Sequence, residues 1–372
     1  MSFGRSMCHK IAFMQVWRAL IAAAMAVSLA GCDGFFTKDT PVPGGGTHVL
    51  YATSSPSGAN GTVQGFTVSS TGGLSSNGAS ATVSVTPKAI AITPNNQFLY
   101  VANQTGVINA FAISGSGIAA VPNTPSVNVG NPVALVINNT GTLLFALNLN
   151  LGAPTISAFR IQSDGELAPT TGQALPAANV NATDIGITPT GNFLYVAGGN
   201  DTAIFGVTTD AQGNPTYSQV TCSAACTIAS QAVALHPNGA ALYVADGTSQ
   251  IAAYSLNSSG VPTLLTTITG LASPNSLAVD STGNFLLATT SGDSSLNSFA
   301  ILQNGSISKV ASVKTGTTPV QVRVDPGSNT AFTANSGGSP DISGFTISSS
   351  GQLTATGTAS VGGNASALAV TH

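Results

Sequence analysis

The chain has 372 residues, 43% hydrophobic and only 6% charged, with nine Lys and Arg against twelve Asp and Glu and a formal charge of −3. That length is ample for one large domain. The few cations are scattered, which excludes nucleic-acid binding, where clustered Lys and Arg must displace counterions from phosphates. Past residue 31 the histidines are His48, His236 and His372, none with a partner two to four residues away, so no metal-ligand pair is visible. No Gly-x-Ser-x-Gly elbow, phosphate-cradling Gly loop or alternating-carboxylate calcium loop occurs. No metal or cofactor is expected.

The first element is an apolar run from Ala19 to Ala30, preceded by Arg5, Lys10 and Arg18 and closed by Leu29-Ala30-Gly31-Cys32. A bilayer takes about 18 or more apolar residues to span. This shorter run reads as the core of a secretory signal. Its ending resembles the bacterial lipobox. By that resemblance residues 1–31 are a lipoprotein signal peptide, Cys32 is acylated, and the protein is lipid-anchored in the cell envelope, periplasmic or surface-exposed. An ordinary secretory signal with an incidental Cys is the plainer alternative. Residues 32–46, with Pro41, Pro43 and Gly44-Gly45-Gly46, read as a flexible tether. Residues 47–372 are left as the folded part.

From there a short pattern recurs seven times: an apolar residue, two variable ones, an aromatic, one variable residue, then Val, Ile or Leu. Its aromatics are Phe66, Phe111, Phe159, Phe205, Tyr254, Phe299 and Phe345, spaced by 45, 48, 46, 49, 45 and 46 residues. Each unit also carries a small–large alternation such as Ala89-Ile90-Ala91-Ile92, a turn such as Thr93-Pro94-Asn95-Asn96, and a second strand such as Phe98-Leu99-Tyr100-Val101-Ala102. A fourth, weakly patterned Ser/Thr/Val strand ends the unit. A period of this size with four short strands predicts an all-β, seven-bladed β-propeller of four-stranded antiparallel blades. The second-strand motif Val49-Leu50-Tyr51-Ala52 has no inner strand before it, and the inner strand Ala367 to Val370 has no second strand after it. The two fragments complete one blade, so the ring closes by pairing the C-terminal strand with the N-terminal ones, leaving no free sheet edge.

Cys222 and Cys226 remain once Cys8 leaves with the signal and Cys32 is acylated. If the segment between them turns back, their Cα atoms can come within the roughly 7 Å a disulfide needs. A small bridge at the edge of the fourth blade is expected; a straight strand would forbid it.

Tyr100-Val101-Ala102-Asn103, Tyr195-Val196-Ala197-Gly198 and Tyr243-Val244-Ala245-Asp246, with the Ser-x-Gly-x-Leu turns and the sevenfold count, resemble the lactonase-like propellers of the 6-phosphogluconolactonase and carboxymuconate cyclase type. The resemblance implies an axial funnel where charged residues handle a lactone's carboxylate or phosphate and shuttle a proton. On the inner strands the charged and amide residues are Lys88, Asp184, Gln231, Asn275, Gln321 and Arg323. Asp184, Gln321 and Arg323 stand where other blades have small residues. Arg323 and Asp184 either pair near the axis or serve a ligand. In a lactonase, Arg323 and Lys88 would hold the anion and Asp184 would activate water, with Gln231, Asn275 and Gln321 as further ligand contacts. The single Glu, Glu166, falls in an outer turn. Two functions follow: a noncatalytic envelope propeller that binds a protein, a glycan or a small lactone through polar loops after the second strands, and a lactone hydrolase using the funnel set. The chain is expected to act as a monomer.

Overall fold

The computed structural model describes residues 48–55, 59–115, 117–150, 154–176, 181–198, 201–221 and 229–372. The signal segment, Cys32, the tether, and the Cys222 and Cys226 pair lie outside the described residues. Every inner-strand motif pairs antiparallel with the second-strand motif that follows it. These pairs are Pro87–Ile92 with Phe98–Asn103, Pro132–Ile137 with Leu143–Asn148, Ala182–Ile187 with Phe193–Gly198, Ala232–Leu235 with Ala241–Ala245, Pro274–Val279 with Phe285–Thr290, and Pro319–Val324 with Thr330–Asn335. The aromatic strand and an outer strand extend each sheet away from the axis. These are blades 2 to 7, and each inner strand lies against those of both neighbours.

Blade 1 is built from both ends of the chain. Asn364–Val370 is the innermost strand of a sheet whose other strands are Val49–Ser55, Gly61–Val68 and Leu74–Val83, with Leu50 opposite Val370 and Ser55 opposite Asn364. The closed seven-bladed ring is therefore as the repeat predicts. The seam is fastened further: Thr371 Oγ1 accepts from Val49 N–H at 2.9 Å, and Asn96 and His372 exchange two hydrogen bonds of 2.8 Å. His48 Nδ1 lies 2.9 Å from the carboxylate of Asp325, which is 1% exposed. In blades 2 and 3 the outer strand is broken in two, Gly117–Ala120 with Ser126–Asn128 and Leu167–Pro169 with Gln173–Ala174. Pro122, Pro125 and Pro169 cannot donate to the ladder, so pairing is interrupted there.

The alternation on the inner strands is the device that joins blades. In Pro87–Ile92 and its equivalents the fourth and sixth residues are large aliphatics, while the third and fifth are mostly small. Ile90 and Ile92 of blade 2 pack with Ala367 and Ala369 of blade 1, Leu135 and Ile137 of blade 3 with Ala89 of blade 2, and Leu277 and Val279 of blade 6 with Ala232 and Ala234 of blade 5. Gly186 of blade 4 has no side chain, and a Cβ there would meet Val233 and Leu235 of blade 5 at 3.5 and 3.4 Å. Large positions of one blade thus fill the space left by small positions of the blade before. Each fully buried aliphatic contributes about 1.5–3 kcal/mol.

The residue after each inner strand ties the following turn. Thr93, Asn138, Thr188 and Asp280 accept side-chain hydrogen bonds from the N–H groups of Phe98, Leu143, Phe193 and Phe285 at 3.0, 2.9, 3.1 and 2.7 Å. His236 stands at the same position; its Nδ1 accepts from Asn238 N–H, so Nε2 donates to Gly283 O in the next blade at 3.0 Å. These are structural roles, as their turn positions predict.

Second-strand tyrosines also cross between blades. Tyr100 and Tyr195 hydroxyls donate to Gly165 O and Gly260 O at 2.9 and 2.7 Å. Tyr51 and Tyr243 are as deeply buried, and their hydroxyls find no partner among the described residues. At Gly260 the backbone has φ +74°, and a Cβ would come within 2.5 Å of the Phe193 ring. Gly191 has φ +75° with open space around it. Gly260→Ala should therefore destabilise the propeller by about 1–3 kcal/mol more than Gly191→Ala, because it adds overpacking to the same backbone strain. Equal losses for the two variants in denaturant titrations would refute the interlocking of turn and ring.

Candidate functional site

Because second strands run antiparallel to inner strands, the two mouths of the axis differ. The turns joining inner to second strands lie at the C-terminal end of the inner strands. The loops after the second strands lie at the N-terminal end. Of those loops, the described parts include 246–250, 289–295 and 335–341. Their polar side chains organise their own backbone: Asp246 Oδ1 accepts from the N–H groups of Thr248, Ser249 and Gln250 at 2.8, 2.8 and 2.9 Å, and Asn335 Nδ2 donates to Pro340 O at 2.9 Å.

The candidate residues are spread along the axis and not gathered at one point. Lys88 and Asn275 are the second residues of their inner strands and Gln231 directly precedes Ala232–Leu235, all toward the loop mouth; Lys88 is exposed there. Asn275 Nδ2 donates to Pro319 O of blade 7 at 2.8 Å, while its Oδ1 accepts from Thr289 Oγ1 at 2.8 Å. Gln231 receives a bond at its main-chain oxygen, from Thr183 Oγ1 of blade 4 at 2.8 Å. Asp184 and Gln321 are at the third position. Arg323, at the fifth, faces the turn mouth.

Third-position polar groups share one task. Asp184 Oδ2 accepts from Val233 N–H of blade 5 at 3.0 Å, Ser276 Oγ accepts from Val322 N–H of blade 7 at 3.2 Å, and Gln321 Oε1 accepts from Leu368 N–H of blade 1 at 2.5 Å. In each case the donor is the residue of the next inner strand that aligns with Ile90 of Pro87–Ile92. The other Asp184 oxygen accepts from Ile185 N–H at 2.9 Å. A polar residue in a small-residue slot therefore bridges to the neighbouring backbone. Ser276 was not singled out by its sequence, being itself small; the alignment of inner strands is the only signal that could have marked it.

Asp184 of blade 4 and Arg323 of blade 7 feel each other's charge without forming an ion pair; among the described residues the only one is His48 with Asp325. Loss of water dominates both environments. It raises the Asp184 carboxyl, against the opposing pull of Val233 N–H, the Arg323 charge and Ile185 N–H. It lowers Arg323 from its usual range, with the Asp184 charge working the other way. Glu166 stays in its outer turn and accepts from Thr124 N–H of blade 2 at 3.0 Å.

A cavity of about 560 Å³ opens at the turn mouth, which the sequence did not mark. Its wall includes Ile92, Ile137, Ile187, Leu235, Val324 and Val370, with Arg323 among them and Asn139, Thr188 and His372 beside the turns and chain end. The signal for it is the aliphatic residue closing each inner strand, which reads as ordinary core.

Fold and axial arrangement define a seven-bladed propeller with a lined central channel. The chain belongs to the lactonase, seven-bladed β-propeller family, whose pattern matches residues 49–369. Among solved structures it is similar to the periplasmic gluconolactonase PpgL of Pseudomonas aeruginosa, with 17% identity, a TM-score of 0.74, and coverage of 88% of this chain and 99% of that one. It is also similar to putative 6-phosphogluconolactonases of Bacteroides fragilis (16% identity, TM-score 0.70, 88% and 98% covered) and Bacteroides uniformis (17%, 0.73, 87% and 99%). At these identities the likeness speaks to the fold alone. No curated protein matches the chain.

The raised Asp184 carboxyl gives a pH test. A carboxyl whose folded-state pKa exceeds its unfolded value stabilises the fold below about pH 4 and loses that contribution as pH rises through the folded value. Asp184→Asn removes this dependence. Wild type should lose stability relative to Asp184→Asn as pH rises from about 4, and urea titrations of both across the acid-to-neutral range measure it. A gap that widens in favour of wild type would show that the carboxylate is stabilised in the channel.

Proposed function

We propose that the protein is a lactonase-family propeller held on a membrane of the cell envelope by lipid on Cys32, where it works as a binding module for a protein, a glycan or a small lactone. The observation that carries the binding reading is the engagement of the inner-strand polar groups: Asp184, Gln321 and Asn275 each bond to the backbone of the next blade. A general base needs a free lone pair aimed at the reacting water. The carboxylate oxygens of Asp184 each accept a main-chain N–H, so about two of its roughly four acceptor sites are already taken by the inner-strand backbone. Lys88 and Arg323, the two cations of the inner strands, sit toward opposite mouths and do not converge on one anion.

A second reading, lactone hydrolysis in the axial channel, is favoured by the family match and by the gluconolactonase name of one structural neighbour. In that reading Arg323 or Lys88 holds the substrate's anion and Asp184, its carboxyl raised by burial, relays the proton. The full chain carrying Cys32→Ser, which removes the acylation site, is offered a panel of sugar and aliphatic lactones. We expect no hydrolysis above background. Turnover lost in both Arg323→Ala and Asp184→Asn would establish the enzyme and overturn the binding reading.

Anchoring rests on Leu29-Ala30-Gly31-Cys32, and Cys32→Ser tests it in a bacterial host. The substitution should abolish incorporation of labelled palmitate and move the protein from the membrane to the soluble fraction. Unchanged labelling and fractionation would refute the lipid anchor.

A further inference from the structure

Arg323 is the one Lys or Arg on the wall of the turn-mouth cavity, and the Asp184 charge acts on it without closing an ion pair. At its inner-strand position the other blades carry Ala91, Val136, Gly186, Ala234, Ala278 and Ala369. A guanidinium in that slot is half-buried among aliphatic side chains and loses part of its hydration. Among the described residues its one hydrogen bond runs from Nη1 to Val322 O in its own strand at 3.0 Å. Among the described residues no carboxylate lies within ion-pair distance of it. A desolvated cation with unused donors is unfavourable until an anion completes it.

The surrounding wall decides which anion. Ile92, Ile137, Ile187, Leu235, Val324 and Val370 close the inner strands of six blades and form an aliphatic collar around Arg323. The cavity, about 560 Å³, lies within the size range of small-molecule sites. A sugar acid or phosphate would find one cation but few groups to bond its hydroxyls. An uncharged hydrocarbon would leave the guanidinium unmatched.

We propose that this cavity binds an amphipathic monocarboxylate, a medium-chain fatty acid being the simplest member, with its carboxylate on Arg323 and its chain along the collar. A planar carboxylate matches the guanidinium fork, and the chain replaces water against the Ile, Leu and Val side chains. The site lies at the mouth opposite the polar loops; because the lactonase reading also offers Arg323 to a substrate anion, competition by gluconate separates the two.

The test is calorimetric titration of the full chain carrying Cys32→Ser with decanoate, below its micelle concentration, beside 1-decanol and gluconate. Decanoate should bind at one site; gluconate should not displace it, and 1-decanol should bind at least tenfold more weakly. Arg323→Gln should weaken decanoate at least tenfold, while Arg323→Lys, which keeps the charge, should lose less. Absence of saturable decanoate binding, equal affinity for 1-decanol, or displacement by equimolar gluconate would each overturn the proposal on wild-type side chains alone. Unchanged decanoate affinity in a folded Arg323→Gln variant would overturn the role of the guanidinium.

Discussion

At most blade interfaces around the axis, large aliphatic side chains on one inner strand pack into space that small residues of the preceding blade leave open. Ile90 and Ile92 against Ala367 and Ala369 show the contact in its plainest form, and it is also the contact that crosses the chain's closing seam. A blade cannot bury both of its faces alone, so each depends on its neighbours for a core. Closure then removes the two sheet edges an open array would expose. The fastening at the seam, from Thr371, His372, His48 and Asp325, holds together strands from opposite ends of the chain.

That packing rule governs what polarity can do near the axis. A small slot filled by a polar residue places its oxygen beside the N–H of the next inner strand. Asp184, Ser276 and Gln321 all bond in this way. Inner-strand polarity in this propeller thus joins blades, and an unusual residue on such a strand is not by itself a sign of catalysis. Arg323 departs from the rule because it has only donors. It cannot accept from a neighbouring N–H, so it turns to its own strand's carbonyl and to the cavity.

Two distinct mouths follow from strand direction. The loop mouth is polar, and its side chains largely hold their own loops in shape. The turn mouth is mainly aliphatic, with Arg323, Asn139, Thr188 and His372 as its polar side chains. A reading that assigns every charged residue of the inner strands to one funnel merges groups that the antiparallel course of the sheet separates, Lys88 toward one end and Arg323 toward the other.

The number of blades, their four-strand composition, the closure by Asn364–Val370 and the turn after the inner strand, as at Thr93-Pro94-Asn95-Asn96, were legible in the residues, because period-two alternation and a fixed repeat length are local properties. The breaks in the outer strands of blades 2 and 3 coincide with Pro122, Pro125 and Pro169, which cannot donate to a ladder. The partners of Asp184 and Gln321, the His48 to Asp325 pair and the collar around Arg323 were not legible. Each depends on which side chain faces which neighbour across a blade interface, at separations of tens to hundreds of residues, and a linear pattern carries no term for that. The sequence by itself determined a closed wheel of seven sheets; only the tertiary structure decided which polar groups the wheel uses to hold itself together and which it leaves facing a cavity.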